Sequence, residues 1–430
     1  MESPSEVKQN LNDAIKWTLC GVMSYLPGGI SDFSHKHKLS PETVVRALLS
    51  FQGGSLNKEL HDCGLDVTAS AFVQRRAKLR YFAFRDIFKT FNVSHTNAET
   101  FKGYRVFAVD GTGLNIPYDP DSRFRIPSGA NERGYCQIHL NMIYDLVNNL
   151  YVDMAENADE IGGFLQMLYT NPFGFNSIMI CDRGYESYNI IAHLLDRPCY
   201  FLLRVKQGKG AMKEIAKLPM VELDRDISVT ITTTQTNADK SAGYVFVQPK
   251  PKKERKNASD ARTSRWDFPS PYLLKFRAVR VLLDTGEYET LVTNLPRSFT
   301  IDDVKMLYHM RWGIETSFRN LKYTVGLINV HSRLENSIFQ EIYAALTMYN
   351  FCNRISKAVI ISQKSDNKHE YKVNFKMAVY LCREFFRTPG ADAEKLMRDI
   401  ARYTEPVRAG RQDTRNIKAK TFSGFVYRVA

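Results

Sequence analysis

The sequence predicts an α/β protein with a helical N-terminal segment and a β-rich insertion in its second half. Three observations predict it. Residues 1 to about 95 read as helical. The period shortens to that of strands from residue 101, where two short apolar strands each lead into an aspartate and a glycine-containing turn. Residues 207–300 are again strand-rich, and helical patterns resume beyond them.

In the first segment, Ser40-Pro41-Glu42 starts a helix, with Ser as N-cap and Pro at the first position, ahead of Val44, Val45, Leu48 and Leu49. Gly53-Gly54 ends it, a short segment runs through Leu60, and Thr68 or Ser70 opens a helix carrying Gln74, Arg75, Arg76 and Lys78. Helix, turn and basic helix fit a DNA-reading unit and an ordinary bundle with a charged outer face equally well.

Tyr104–Val109 reads as a strand ending on Asp110, followed by Gly111-Thr112-Gly113. Cys136–Leu146 alternates apolar and polar, Asn148-Asn149 turns, and Leu150–Met154 returns as a hairpin. Ser177–Cys181 is a short apolar strand ending on Asp182, then Arg183-Gly184-Tyr185; a helix through Ile190–Leu195 and the strand Cys199–Val205 follow. A carboxylate at a strand end is accessible, while the strand fixes its position. In the insertion, Ile227–Thr234, Tyr244–Gln248, Tyr272–Leu283 and Tyr288–Leu295 read as strands, with Asp284-Thr285-Gly286 as a turn. The basic run Pro249–Lys256 is a solvated loop or a phosphate contact. Further helices occupy 335–362 and 373–387, and the stretch Arg398–Arg428 is rich in Arg and Lys.

Composition narrows the function classes. The net charge is +13 and the isoelectric point about 9.2, which favours an anionic partner, nucleic acid first among them. Seven scattered cysteines with no C-x-x-C argue for reduced thiols, not a disulfide frame or zinc site. The nine histidines form no H-E-x-x-H. No stretch is long and apolar enough for a membrane span, no signal peptide is evident, and no G-x-x-x-x-G-K-[ST] implies ATP use. The expected compartment is the cytoplasm.

The most informative stretch runs from Tyr308 to Lys322 and reads Y-x2-R-x3-E-x6-K. Wound into one helix, Tyr308, Arg311, Glu315 and Lys322 fall within about 60° of arc. Leu307, Ile314, Phe318, Leu321 and Val325 form a neighbouring apolar stripe. Glu315 could simply pair with Arg311 or Arg319, a contact worth a few tenths of a kcal/mol. Together with Asp110 and Asp182, however, it completes an all-oxygen set of the kind that holds two Mg²⁺ ions for phosphodiester chemistry.

These residues resemble the DDE transposases of bacterial insertion sequences, in the cut-and-paste family whose signature is named YREK, the fourth insertion-sequence family. The matching pieces are Val109-Asp110-Gly111-Thr112, Asp182-Arg183-Gly184-Tyr185, and Tyr308, Arg311, Glu315 and Lys322 at the family spacing. The resemblance implies an RNase H-like catalytic core. Residues 1–98 would be a helical DNA-binding domain, 99–206 and 301–390 the two parts of the core, 207–300 the β-rich insertion and 391–430 a basic tail.

By the same resemblance, Asp110, Asp182 and Glu315 bind two Mg²⁺ ions, with Mn²⁺ able to substitute. Tyr308, Arg311 and Lys322 contact phosphates, Arg183 assists, and Trp266 is the candidate to hold a flipped base, against the alternative of a buried packing tryptophan. The implied activity is binding of terminal inverted repeats by a homodimer, strand nicking, hairpin formation and joining to target DNA, without ATP. The competing readings are a catalytically silent or domesticated transposase acting as a DNA-binding protein, and a general nuclease.

Overall fold

A computed structural model describes residues 2–29, 33, 38–128, 132–156, 159–208, 210–248, 266–363 and 369–407. The basic run at 249–256, the two histidines at 35 and 37, and the tail beyond 407 lie outside the described residues.

The N-terminal helices are α1 (Pro4–Cys20), α2 (Pro41–Ser50), α3 (Leu56–Asp62), α4 (Ala69–Ala77) and α5 (Phe82–Val93). Local chemistry sets their starts. Ser3 and Glu6 form a reciprocal capping box on α1, Ser40 accepts from the Thr43 amide with Pro41 behind it, and Thr68 caps α4 through the Ala71 amide.

A ten-stranded mixed sheet follows. In chain order it contains β1 (Arg105–Ile116), β2 (Arg125–Ser128), β3 (Glu132–Asp145), β4 (Leu150–Ala155), β5 (Ser177–Cys181), β6 (Tyr200–Val205), β7 (Leu223–Thr232), β8 (Val245–Phe246), β9 (Tyr272–Leu282) and β10 (Tyr288–Thr293). Helices α6 (Glu160–Thr170) and α7 (Tyr188–Asp196) connect β4 to β5 and β5 to β6. The centre of the sheet runs β3-β1-β5-β6, with β1, β5 and β6 parallel. Among the described residues the β-rich segment forms no separate sheet: β10 pairs antiparallel with β6, so β10, β9, β7 and β8 extend the same one. Short helices α8 (Lys213–Ala216) and α9 (Asn237–Ser241) decorate it.

One correction concerns β1. The strand does not end at Asp110 but continues to Ile116, because β3 pairs with it along the whole of that length. Its other neighbour is shorter. Pairing with β5 stops at Val109–Cys181, so it is the loss of that partner that opens the edge beside Asp110.

After the sheet come α10 (Ile301–Met310), α11 (Trp312–Arg319), α12 (Glu335–Lys357), β11 (Tyr371–Val373), α13 (Phe375–Arg387), α14 (Ala393–Arg402) and β12 (Thr404–Pro406). The single helix expected through 308–322 is broken. At Arg311 the bonds tighten, with Arg311 N–H on Tyr308 O and Ile314 N–H on Arg311 O. Past Arg319, residues Asn320–Thr324 widen into a π turn, sealed by Val325 N–H on Asn320 O at 2.9 Å.

Helices cover both faces. Val106, Ala108, Ile178, Ile180 and Leu202 face a core shared with α1, α2, α5 and α10–α14. Phe107, Val109, Met179, Cys181 and Leu203 face a second core with α6 and α7. The N-terminal helices are therefore bound into one core with α12 and α13. Among the described residues no helix is long and apolar enough to cross a membrane. The seven cysteines are unpaired and five are buried.

The expected basic helix α4 is only partly a surface. Arg76 is fully buried and donates to Gln340 Oε1 at 3.0 Å, Glu341 Oε1 at 2.8 Å and Ser337 O at 2.7 Å, tying α4 to α12. His331 Nδ1 lies 3.0 Å from the other Glu341 oxygen. Burial alone would raise the Glu341 carboxyl, but Arg76 and His331 override it and hold it at about 2. Arg76→Met should cost about 3–5 kcal/mol in urea unfolding, because it leaves Glu341 buried without its cation. The carboxyl is depressed on folding, so this pair contributes fully above pH 4.5 and is lost as pH falls towards 2; the substituted protein should lack that acid limb.

Candidate active site

The register of the central strands builds the site. β1 and β5 run parallel with Val109 opposite Cys181, so the next residues, Asp110 and Asp182, stand side by side. Side chains alternate along a strand, and Asp182 keeps extended backbone. Both aspartates therefore follow Ala108 and Ile180 on the face that packs against α10–α12. Cys181 is opposite Leu203 on β6, which places Arg204 next in the same row.

Each aspartate is steadied by a backbone amide just after it. Asp110 Oδ1 accepts from the Gly111 amide at 2.8 Å, and Asp182 Oδ1 accepts from the Gly184 amide at 2.7 Å. Helix α11 supplies the other half. Arg311 Nη2 donates to Glu315 Oε1 at 2.8 Å, while its Nη1 is 4.0 Å from Asp110 Oδ2. Arg311 thus bridges two of the three expected acids. Lys322, inside the π turn, donates to Gly113 O at 2.7 Å and so pins that turn to β1; burial lowers its ammonium below the usual lysine range.

The electrostatics are unbalanced in one direction. Burial pushes the Asp110 carboxyl up to about 7; the charges of Asp182 and Glu160 add to this, against the Gly111 amide and Arg311. Burial also raises the Tyr308 phenol to about 12. Among the described residues, the Tyr308 hydroxyl and Arg311 Nε are buried without a hydrogen-bond partner. Such orphans are expensive unless a ligand uses them.

The structure thus brings Asp110, Asp182, Tyr308, Arg311, Glu315 and Lys322 to one end of the central strands. Arg183 is exposed at the tip of the turn after Asp182. Trp266 is buried, its Nε1 donating to Pro269 O at 3.1 Å and its ring packed at 5.6 Å from both Phe268 and Tyr272. Three neighbours escape the sequence reading. Arg204 pairs with the buried Glu289 at 2.7 Å, and Glu160 carries charge to Asp110. An arginine inside the apolar run Phe201–Val205 was the available signal for Arg204. Glu160 and Glu289 had none.

The donor chemistry suits a hard divalent ion, since Asp110, Asp182 and Glu315 offer only carboxylate oxygens, and a cation would relieve the crowding at Asp110. As the side chains lie, Arg311 occupies Glu315, and no three His, Cys, Asp or Glu groups converge on one point among the described residues.

Comparison with known proteins defines the class. Residues 101–351, more than half the chain and spanning all three acids, match the family model described as transposase DDE domain. The chain belongs to that family of DNA transposases. No curated protein matches it. Among solved structures it is similar to a piggyBac transposase synaptic complex with hairpin DNA, at 13% identity and a TM-score of 0.43, covering 94% of this chain and 85% of that one. That likeness is too distant to carry an argument.

Because folding raises the Asp110 carboxyl from 3.8 to about 7, the folded state loses stability as pH climbs through that interval. Without divalent ions, Asp110→Asn should be more stable than the parent at pH 8, by on the order of 1–3 kcal/mol, and the gap should close towards pH 4. Urea denaturation across pH in EDTA measures it.

Proposed function

We propose that the chain is a cut-and-paste transposase of the YREK kind, with an RNase H-like core acting on the terminal inverted repeats of its own element. The observation that carries this reading is the Asp110–Asp182 pair, set side by side by strand register and faced by the Arg311–Glu315 pair of α11. A crowded acid pair beside an arginine that is short of a partner at Nε suits phosphodiester chemistry better than structural pairing.

Asp110, Asp182 and Glu315 would hold two Mg²⁺ ions, or Mn²⁺ in their place. Bound there, such ions activate the attacking oxygen and stabilise the leaving one. The protein's own part is positioning. Arg311 exchanges Glu315 for a scissile phosphate, which its planar fork fits, and frees that carboxylate in the same movement. The orphaned Tyr308 hydroxyl donates to a phosphate oxygen. Lys322, held close to β1 by Gly113, adds a point charge, and exposed Arg183 extends the contact.

On this reading the same site serves nicking, hairpin formation, hairpin opening and strand transfer, since each is an in-line displacement at phosphorus. The basic face of α4 around Gln74, Arg75 and Lys78 contributes to end binding, and two copies synapse two ends in the cytoplasm of the host. Trp266 stays the candidate for a flipped base only if its loop opens, because its ring is packed among Phe268 and Tyr272.

Incubation of the protein and Mg²⁺ with DNA carrying the element's own ends should give nicks at the repeat tips and then hairpins. Glu315→Ala should abolish both while leaving end binding intact in a gel-shift assay. Binding without cleavage by the parent protein would make it a DNA-binding protein, and cleavage away from the ends would make it a plain nuclease. Lys322→Ala should reduce the slope of log affinity against log salt by about one; an unchanged slope removes Lys322 from the phosphate contacts.

A further inference from the structure

Helix α6 begins with two acids in series, and they do different things. Asp159 is the cap: its carboxylate accepts from the Ile161 and Gly162 amides. Glu160 is therefore not needed to satisfy the helix end, and its carboxylate reaches the sheet instead. It does so from the face opposite α11. A Cβ on Gly111 would lie 2.9 Å from Glu160 Oε1 and 2.5 Å from His139 Nε2, closer than any side chain tolerates. Glycine at 111 lets these two groups lie against the backbone one residue past Asp110, where a Cβ would force their side-chain ends to shift.

The same carboxylate also meets the second aspartate's turn. Tyr185, three residues past Asp182 and buried, directs its hydroxyl to Glu160 Oε1 at 3.4 Å. Phe164, one turn further along α6, packs edge-on against the Tyr185 ring at 5.3 Å. The close seat of α6 is built in as well, since a Cβ on Gly163 would strike the Asn141 side chain at 2.4 Å. Glu160 thus abuts the chain after Asp110 and is bonded to the chain after Asp182. Its charge also falls on Asp110.

We propose that Glu160 is a fourth acid of this centre, a positioning residue that ties the strand past Asp110 to the turn after Asp182 and strengthens the field the two aspartates present to a divalent cation. This rests on the transposase reading of the site. Gly111 in the D-G-T sequence then has a stated role: it is the gap through which Glu160 acts.

Mn²⁺ binding to the full-length protein without DNA, followed by the electron paramagnetic resonance of the free ion, tests this independently of cleavage. Glu160→Gln keeps the acceptor for Tyr185 and removes the charge. It should weaken Mn²⁺ binding about tenfold or more, the usual effect of losing an outer partner of a metal site, with the melting temperature unchanged. Tyr185→Phe, which keeps the charge, should weaken it less. Glu160→Asp retains the charge at a shorter reach and should fall between Glu160→Gln and the parent; it also serves if the Gln variant does not fold. Parent-like affinity in both Glu160 variants, with Asp110→Asn abolishing binding, overturns the role of Glu160 and leaves the site standing. Parent-like affinity in Asp110→Asn as well overturns the metal reading of the whole centre, and this proposal with it.

Discussion

The parallel pairing of β1 with β5 is the constraint on which the rest of the site depends. Neighbouring strands lie about 4.8 Å apart, so carboxylates at matched positions on one face are forced into mutual repulsion. Water cannot relieve this fully, because α10–α12 cover that face. The register itself is held by apolar residues on both sides of the sheet, Ala108 and Ile180 towards one core and Val109 and Cys181 towards the other. A slip of one residue between the two strands would put the two aspartates on opposite faces and break up the pair. What the strands impose, Arg311 partly offsets: it stands between Asp110 and Glu315 and is short of a partner at Nε.

The treatment of buried charge elsewhere in the molecule is the opposite. Arg76 spends its guanidinium on three acceptors of α12, Arg277 pairs with Asp224 at 2.6 Å and caps three carbonyls, and Arg354 pairs with Glu2 while donating to Phe91 O. These pairs join distant segments and are closed. In the site, by contrast, Asp110 is crowded by like charge and the Tyr308 hydroxyl has no hydrogen-bond partner among the described residues. The stability withheld there is sustained by the closed networks around it, and the contrast marks the candidate site off from structural ion pairs better than any single residue does.

Two breaks in one helix show how tertiary packing refines a sequence pattern. Uniform winding from Tyr308 to Lys322 puts four polar groups on one arc. The structure keeps them together but by another route, with a tightened turn at Arg311 and a widened one at 320–324. The tight turn aims the guanidinium between two acids, and the wide one brings Lys322 onto Gly113 O. No proline interrupts the segment; Gly313 weakens the helix at the tightened turn, while the widened turn has no such local cause. Both are set by what the helix must reach on β1.

The sequence by itself determined which side chains are the candidates for the chemistry, where most strands and helices lie, and that the chain is a basic protein suited to DNA. Those features are local or compositional: period-two and period-3.6 patterns, capping residues, and polar residues at fixed spacing. Only the tertiary structure decided that Asp110 sits within a strand whose partner has ended, that the β-rich segment extends the central sheet, and that Arg76 is buried in a network. It alone also gathered Glu160, Arg204 and Glu289 around the acids. These outcomes depend on register and on contacts between segments up to 265 positions apart, such as Arg76 with Glu341. No short-range pattern encodes the choice of partner strand or helix, because it is made by the packing of whole faces.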